Sequence, residues 1–312
     1  MRTLYLVLAL LFSLGQCWAQ GNVVANIKKT VAFIQLQCED GPNLLDVRGT
    51  GFFINYPDDR LAKGGSFVYL ITNRHVAMCL SQDHRPLVVR SIAIRLNRKD
   101  GSSAALPLVT HGNLPWMLPS DESEDLAVIA LAPDPQIYDY LGIPTSMFGT
   151  KDVLAANAIA EGERILFAGF FYQFPGVAKI QPIVREGILA MIPDEKLPTT
   201  TGKPGRVYLG DVHVFGGNSG APVFCNLGGV HGSKVTAGED YRLLGIVSGM
   251  FYEDEEFNLK VSATIKGTAK ANSGISMIVP VDALKNLLDA PSLKAQRDAI
   301  VTNMQNQPGL KP

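Results

Sequence analysis

The sequence predicts an all-β protein, a sandwich or a pair of barrels, and three observations carry that expectation. Short runs rich in Val, Ile and Phe recur along the 312 residues. Gly and Pro punctuate them often enough to hold each run to strand length. Branched and aromatic side chains suit a pleated, half-buried surface and lose rotamer freedom in a helix. At 46% hydrophobic and 18% charged residues, the chain has apolar surface for a large core. A net charge of −1 gives no electrostatic reason to expect nucleic acid or an anionic membrane as partner.

The elements follow in chain order. Arg2, an apolar run from Leu4 to Leu14, and Cys17-Trp18-Ala19 form a signal-peptide pattern over residues 1–19, with cleavage near Gln20. That run is roughly 11 residues, short of the ~20 a spanning helix needs, so no membrane insertion is expected after removal. The expected location is secreted or periplasmic. Leu14-Gly15-Gln16-Cys17 only faintly resembles a lipoprotein site, because Gln16 stands where a small residue is wanted. Asn22–Lys29 reads as a short leading helix. Strands are expected over Val31–Gln37, Thr50–Asn55, Phe67–Thr72, Val88–Leu96 and Leu126–Leu131. Beyond a crossover around Gly149–Gly162 come Arg164–Phe171, Ile183–Ile192, Val207–Val214, Ala221–Phe224, Leu243–Met250 and Ile275–Val279. Pro280–Leu288 reads as a terminal helix with one apolar face. The polar tail 291–312 includes Leu293–Met304, which reads as a weak amphipathic helix.

Three places carry chemistry. In Gly216-Gly217-Asn218-Ser219-Gly220-Ala221-Pro222 a serine sits among glycines, a setting that can present a hydroxyl on a tight turn beside backbone N–H groups. Acyl transfer needs both, as nucleophile and as oxyanion donors. The apolar run from Leu70 ends in Thr72-Asn73-Arg74-His75, which reads as a strand delivering His75 to a loop. Asp125 opens the buried run Leu126–Leu131, with Asp121, Glu122 and Glu124 just before it. His, Asp and Ser in that order on one all-β chain form a much stronger signal than any one of them.

Four blocks resemble the signatures of trypsin-like serine proteases: Gly49-Thr50-Gly51-Phe52-Phe53-Ile54, Thr72-Asn73-Arg74-His75-Val76, Asp125-Leu126-Ala127-Val128 and Gly217-Asn218-Ser219-Gly220-Ala221-Pro222. The bacterial, HtrA-like branch is the nearest resemblance, and Gly162–Phe170 and Gly274–Val281 are similar to two further strands of that branch. The likeness runs from roughly Val24 to Leu288 and implies two six-stranded antiparallel barrels over 20–290, with the site in the cleft between them. The first barrel would span about 24–150 and the second about 160–280. Only about two dozen residues follow the terminal helix, too few for the PDZ domain common in that branch.

The resemblance implies catalytic roles for His75, Asp125 and Ser219, with an oxyanion hole from the N–H groups of Gly217 and Ser219. Asp121 stays open as the alternative carboxylate. Asn218 replaces the acidic residue that, in vertebrate-type relatives, receives a freed N-terminus, so no activating cut is expected. His213, six residues before the serine, falls at the base of the primary pocket. Ser248, Gly249 and Met250 would pair with an extended peptide, Met250 narrowing the entrance. Val214 and Phe215 favour a medium hydrophobic side chain, whereas a protonated His213 would favour Glu or Asp.

With Cys17 in the leader, Cys38, Cys79 and Cys225 allow at most one bridge. Many relatives bridge the regions where Cys38 and Cys79 lie, so the resemblance implies that pairing, and a buried thiol is the simplest state of Cys225. His84, His111 and His231 lack metal-ligand spacing. The acidic run Glu253-Asp254-Glu255-Glu256 reads as solvated, not as a Ca²⁺ site. Neither metal nor cofactor is expected, and Gly228-Gly229-Val230-His231-Gly232 lacks the strand–helix context of a phosphate loop. The sequence thus reads as an exported serine endopeptidase acting on proteins or peptides through an acyl-enzyme. A catalytically silent peptide-binding protein and an esterase are the alternatives.

Overall fold

The computed structural model describes residues 11–12, 22–61, 64–81, 83, 85–108, 116–260 and 264–306, with backbone alone for 11–12, 254–260 and 264–269. The chain builds two β-bodies. The first is an antiparallel sheet of six principal strands: β1 (Val31–Asp40), β2 (Asn43–Pro57), β3 (Gly65–Thr72), β4 (Val88–Asn97), β5 (Ser103–Pro107) and β6 (Ala127–Ala130), ordered β5-β4-β1-β2-β3-β6. Its edge strands β5 and β6 are not bonded to each other among the described residues. Ile143–Pro144 and Leu11–Phe12 add short pairings to β2 and β3. Otherwise the leader expected over 1–19 and its expected cleavage site lie outside the described residues.

The second body is a closed six-stranded barrel. Its strands are β7 (Arg164–Gly169), β8 (Ile183–Met191), β9 (Tyr208–Asp211), β10 (Pro222–Asn226), β11 (Tyr241–Lys260) and β12 (Thr264–Pro280), in the cyclic order β8-β9-β12-β11-β10-β7. The protein is therefore mostly β in the double-barrel manner the sequence predicts. Strand periodicity explains how both bodies are filled. Along β2, Phe53 faces a core inside the first sheet with Ile34, Leu70 and Ile94, while Phe52 and Ile54 face the other way. These meet Phe33, Phe170, Phe224 and Ile246 in a core between the two bodies. Phe33 and Phe170 pack edge to face there, ring centroids 5.2 Å apart. Phe167, Leu189, Val223, Leu244 and Ile278 fill the barrel itself.

Five helices attach to this frame among the described residues: α1 (Val23–Lys29), α2 (Arg74–Met78), α3 (Lys151–Ala156), α4 (Val281–Leu288) and α5 (Pro291–Gln305). The Asn22 side chain caps α1 through the Ala25 N–H. The crossover is not all loop, since α3 occupies it. The helix expected over Leu293–Met304 is present and slightly longer: α5 starts on Pro291 and buries Leu293, Val301 and the guanidinium of Arg297. Arg297 donates to the Leu288 carbonyl at 2.9 Å and to the Tyr69 hydroxyl at 3.2 Å, and lies 4.1 Å above the Tyr56 ring. A second departure is the length of β11 and β12. Past Met250 they continue as a two-stranded arm, paired from Tyr252 with Asn272 to Lys260 with Thr264. The acidic run lies on this arm; the side chains of its last three residues lie outside the described residues.

Cys38 and Cys79 are joined in a disulfide, Cα atoms 6.5 Å apart and 41 residues apart in sequence. By limiting the unfolded chain, a loop of that length contributes about 4 kcal/mol. Cys225 is a buried free thiol in β10.

Candidate active site

Strand β3 is buried along its whole length and stops at Thr72. Asn73 then stands at the N-cap position of a single helical turn, α2, without a side-chain cap bond, so His75 sits on that turn and not in the loop expected from sequence. Asn73 is fully buried and its Nδ2 donates to the main-chain carbonyl of Asp125 at 2.8 Å. The carboxylate of Asp125 is itself wholly buried. Its Oδ1 accepts the His75 backbone N–H at 3.0 Å, and its Oδ2 lies 2.7 Å from His75 Nδ1. Hydroxyls of Ser248 and Thr200 each donate to the same Oδ2 at 2.7 Å, and are 2.6 Å from one another.

These contacts decide the charge state. Burial alone would raise the Asp125 pKa, but the charge and hydrogen bond of His75 and the two hydroxyls outweigh it and bring the group to about 2. For His75, burial works against protonation, yet the Asp125 charge and hydrogen bond win and hold its pKa above the ordinary value. An ionised Asp125 accepts a proton-bearing Nδ1, which leaves the lone pair of the neutral ring on Nε2. The imidazole keeps 27% of its surface exposed, so that face is accessible. Asp121, the alternative carboxylate, is exposed and accepts the N–H and hydroxyl of Ser123 at 2.9 and 2.7 Å.

Ser219 lies on a loop clamped from the first sheet. Thr50 donates its N–H to the Ser219 carbonyl at 2.8 Å and its hydroxyl to the Gly217 carbonyl at 2.7 Å. The same hydroxyl accepts the Phe170 N–H at 3.0 Å. Asn218 is fully buried and braces the turn from within: its Oδ1 accepts the Phe215 N–H at 2.8 Å, and its Nδ2 donates to the Phe170 carbonyl at 3.0 Å. Gly217 adopts φ +95°, with the Phe170 carbonyl 2.6 Å from where a Cβ would stand. Both facts require glycine there. Among the described residues, the N–H groups of Gly217 and Ser219 donate to no protein acceptor.

The expected substrate-side residues fall on two segments. His213 is exposed, its ring atoms 3.0–3.5 Å from the position of a Gly274 side chain. Val214 is buried and its carbonyl accepts Asn272 Nδ2 at 2.9 Å. Ser248 turns its hydroxyl to Asp125, and a Cβ on Gly249 would come within 2.5 Å of Thr200 Cγ2. Met250 is half-buried against the barrel core. Strand β11 loses its β10 partner after Val247, so the edge carrying Ser248, Gly249 and Met250 is unpaired on that side among the described residues. Of the other histidines, His231 pairs with Glu163 at 2.8 Å, while His84 and His111 lie outside the described residues.

Sequence reading missed Thr50 and Thr200. Thr50 stood in plain view within Gly49-Thr50-Gly51; Thr200, in Thr199-Thr200-Thr201, carries no local signal.

A family model for the trypsin-like peptidase domain matches residues 49–232. No curated protein sequence matches the chain. Solved structures with a similar fold include Deg5, with a TM-score of 0.45 and 15% identity, over 85% of this chain and 90% of that one. An HtrA-type protease, AlgW, solved with a decapeptide, has a TM-score of 0.48 and 15% identity over 86% of this chain and 66% of its own.

Proposed function

Because this chain belongs to the trypsin-like peptidase family, we propose that it is an exported serine endopeptidase working through Ser219, His75 and Asp125. The observation that carries this reading is the buried Asp125 carboxylate bonded to His75 Nδ1 at 2.7 Å. Ser219 Oγ attacks the scissile carbonyl carbon while His75 Nε2 takes its proton. The carbonyl oxygen becomes an oxyanion facing the N–H groups of Gly217 and Ser219, donors worth a few kcal/mol in such sites. Collapse of the intermediate breaks the C–N bond, and the imidazolium returns the proton to the leaving amine. Water then repeats the sequence on the acyl-enzyme and frees Ser219. Asp125 keeps its charge throughout and steadies the imidazolium.

The pH dependence follows in sign. Catalysis needs neutral His75, so turnover rises as pH climbs through a His75 pKa that Asp125 holds above the ordinary value. The Asn218 carboxamide is committed to Phe215 and Phe170. This supports a site that needs no inserted N-terminus. Export, to the periplasm or outside, rests on the leader pattern of residues 1–19.

Intact mass after treatment with a serine-directed fluorophosphonate tests the reading, with Ser219→Ala alongside. One adduct on the wild type and none on the variant is expected, on a chain beginning near Gln20. No adduct on folded wild type would favour the peptide-binding alternative, and a mass retaining residues 1–19 would count against export. Cleavage of esters without peptides would favour the esterase.

A further inference from the structure

The segment between β8 and β9 leaves the barrel as a strap, closed on itself by short pairing of Leu197–Pro198 with Pro204–Gly205. The Thr199 hydroxyl donates to the Lys203 carbonyl at 2.7 Å and holds the tip. The strap is fastened to the residues leading into Asp125: Lys203 pairs with Glu122, and a Cβ on Gly205 would stand 2.9 Å from Ser123 Oγ. Thr200, half-buried at the tip, thus reaches from the second body to a carboxylate belonging to the first. Its methyl group covers Gly249 and its hydroxyl meets both Asp125 Oδ2 and Ser248 Oγ.

We infer that Thr200 is a positioning residue for the Asp125–His75 pair: its hydroxyl helps compensate the Asp125 charge and fixes the carboxylate plane, so the strap sets the state of His75. The inference rests on the catalytic reading above. Three oxygens (Asp125 Oδ2, Ser248 Oγ, Thr200 Oγ1) lie 2.6–2.7 Å from one another, with two hydroxyl hydrogens to share among them. Removing Thr200 Oγ1 leaves Ser248 as the only hydroxyl on Oδ2 among the described residues. A less compensated carboxylate attracts the imidazolium more strongly, which makes His75 harder to deprotonate. Other charged groups at this junction are Arg74, Asp121, Glu122, Glu124, Lys196 and Lys203. All of them are identical in the two variants compared next.

The test sets Thr200→Val against Thr200→Ser. Valine keeps the methyl contact with Gly249 and the size of the side chain; serine keeps the hydroxyl. The acid limb of kcat/KM is expected to move up by about half a pH unit in Thr200→Val. Its kcat is expected to fall about tenfold, near the low end for losing one hydrogen bond to a charged group, with KM little changed. Thr200→Ser should match wild type in both. The His75 ring titration followed by NMR, assigned by its loss in His75→Gln, should move upward in Thr200→Val as well. An unmoved or lowered His75 titration in folded Thr200→Val would overturn the inference, as would equal effects of valine and serine. The NMR readout needs no turnover. If wild type cuts no peptide while His75 still shifts, the protease reading fails and the positioning role stands.

Discussion

Asp125→Asn is expected to lower peptide hydrolysis about 10⁴-fold while the protein stays folded. The carboxylate accepts four hydrogen bonds, from the His75 N–H, His75 Nδ1 and the hydroxyls of Thr200 and Ser248. An amide has one acceptor oxygen, and its NH₂ can only donate. Facing His75 Nδ1, that NH₂ favours the tautomer with the proton on Nε2, the atom that takes the proton of Ser219 in the proposed mechanism. Geometry near Ser219 changes little and the base is lost. Asp121→Asn is the control, since that exposed carboxylate accepts hydrogen bonds from Ser123 and makes none to His75 among the described residues; activity near wild type is expected. Values of kcat/KM for both variants decide the matter, with melting curves to show that each is folded. A loss smaller than tenfold in Asp125→Asn, or a larger loss in Asp121→Asn, would remove Asp125 from the triad.

Gly220→Ala should be the most damaging single methyl in the site. Gly220 has φ +87°, and a Cβ there would lie 2.0 Å from the Thr50 carbonyl oxygen and 2.6 Å from Thr72 Oγ1. Neither neighbour is free to retreat. The Thr50 carbonyl accepts the Thr72 hydroxyl at 2.8 Å, and the Thr50 N–H is bonded to Ser219. A left-handed non-glycine residue costs roughly 1–2 kcal/mol. Adding the backbone clash brings the expected destabilisation to about 3–5 kcal/mol, or roughly 10 °C in melting temperature. Fluorophosphonate labelling should fall with it, because the clash displaces Ser219. Gly162→Ala isolates the clash: its φ is +91° and nothing lies within 4 Å of the new methyl. Only the conformational cost remains there. Equal melting shifts in the two variants would mean that the contact with Thr50 is not what makes Gly220 necessary.

Local signals and distant contacts divide what was legible in the chain. Most strands could be read because Val, Ile and Phe runs between turn residues report on the strand itself. His75, Asp125 and Ser219 were legible because each lies in a short block whose residue types suit one task. The single turn holding His75 was not, since a five-residue helix has no room for an apolar repeat. Thr50 acts on Gly217 across 167 residues and Thr200 on Asp125 across 75, and nothing near either threonine encodes its partner. The β11–β12 arm escaped notice for a different reason. The acidic run Glu253–Glu256 offers no apolar position, and it masks the brief apolar–polar alternation of Phe257-Asn258-Leu259-Lys260 that follows it.

Cys225 bears on how the Cys38–Cys79 bridge keeps its partners. Burial raises its thiol to about 12, so at neutral pH almost none of it is thiolate. Thiol–disulfide exchange proceeds through attack by a thiolate. The native barrel therefore shields the Cys38–Cys79 bridge from Cys225, and keeps two copies from coupling through that sulfur. Scrambling through Cys225 is confined to chains whose second barrel has opened, so the integrity of one body protects the covalent tie of the other.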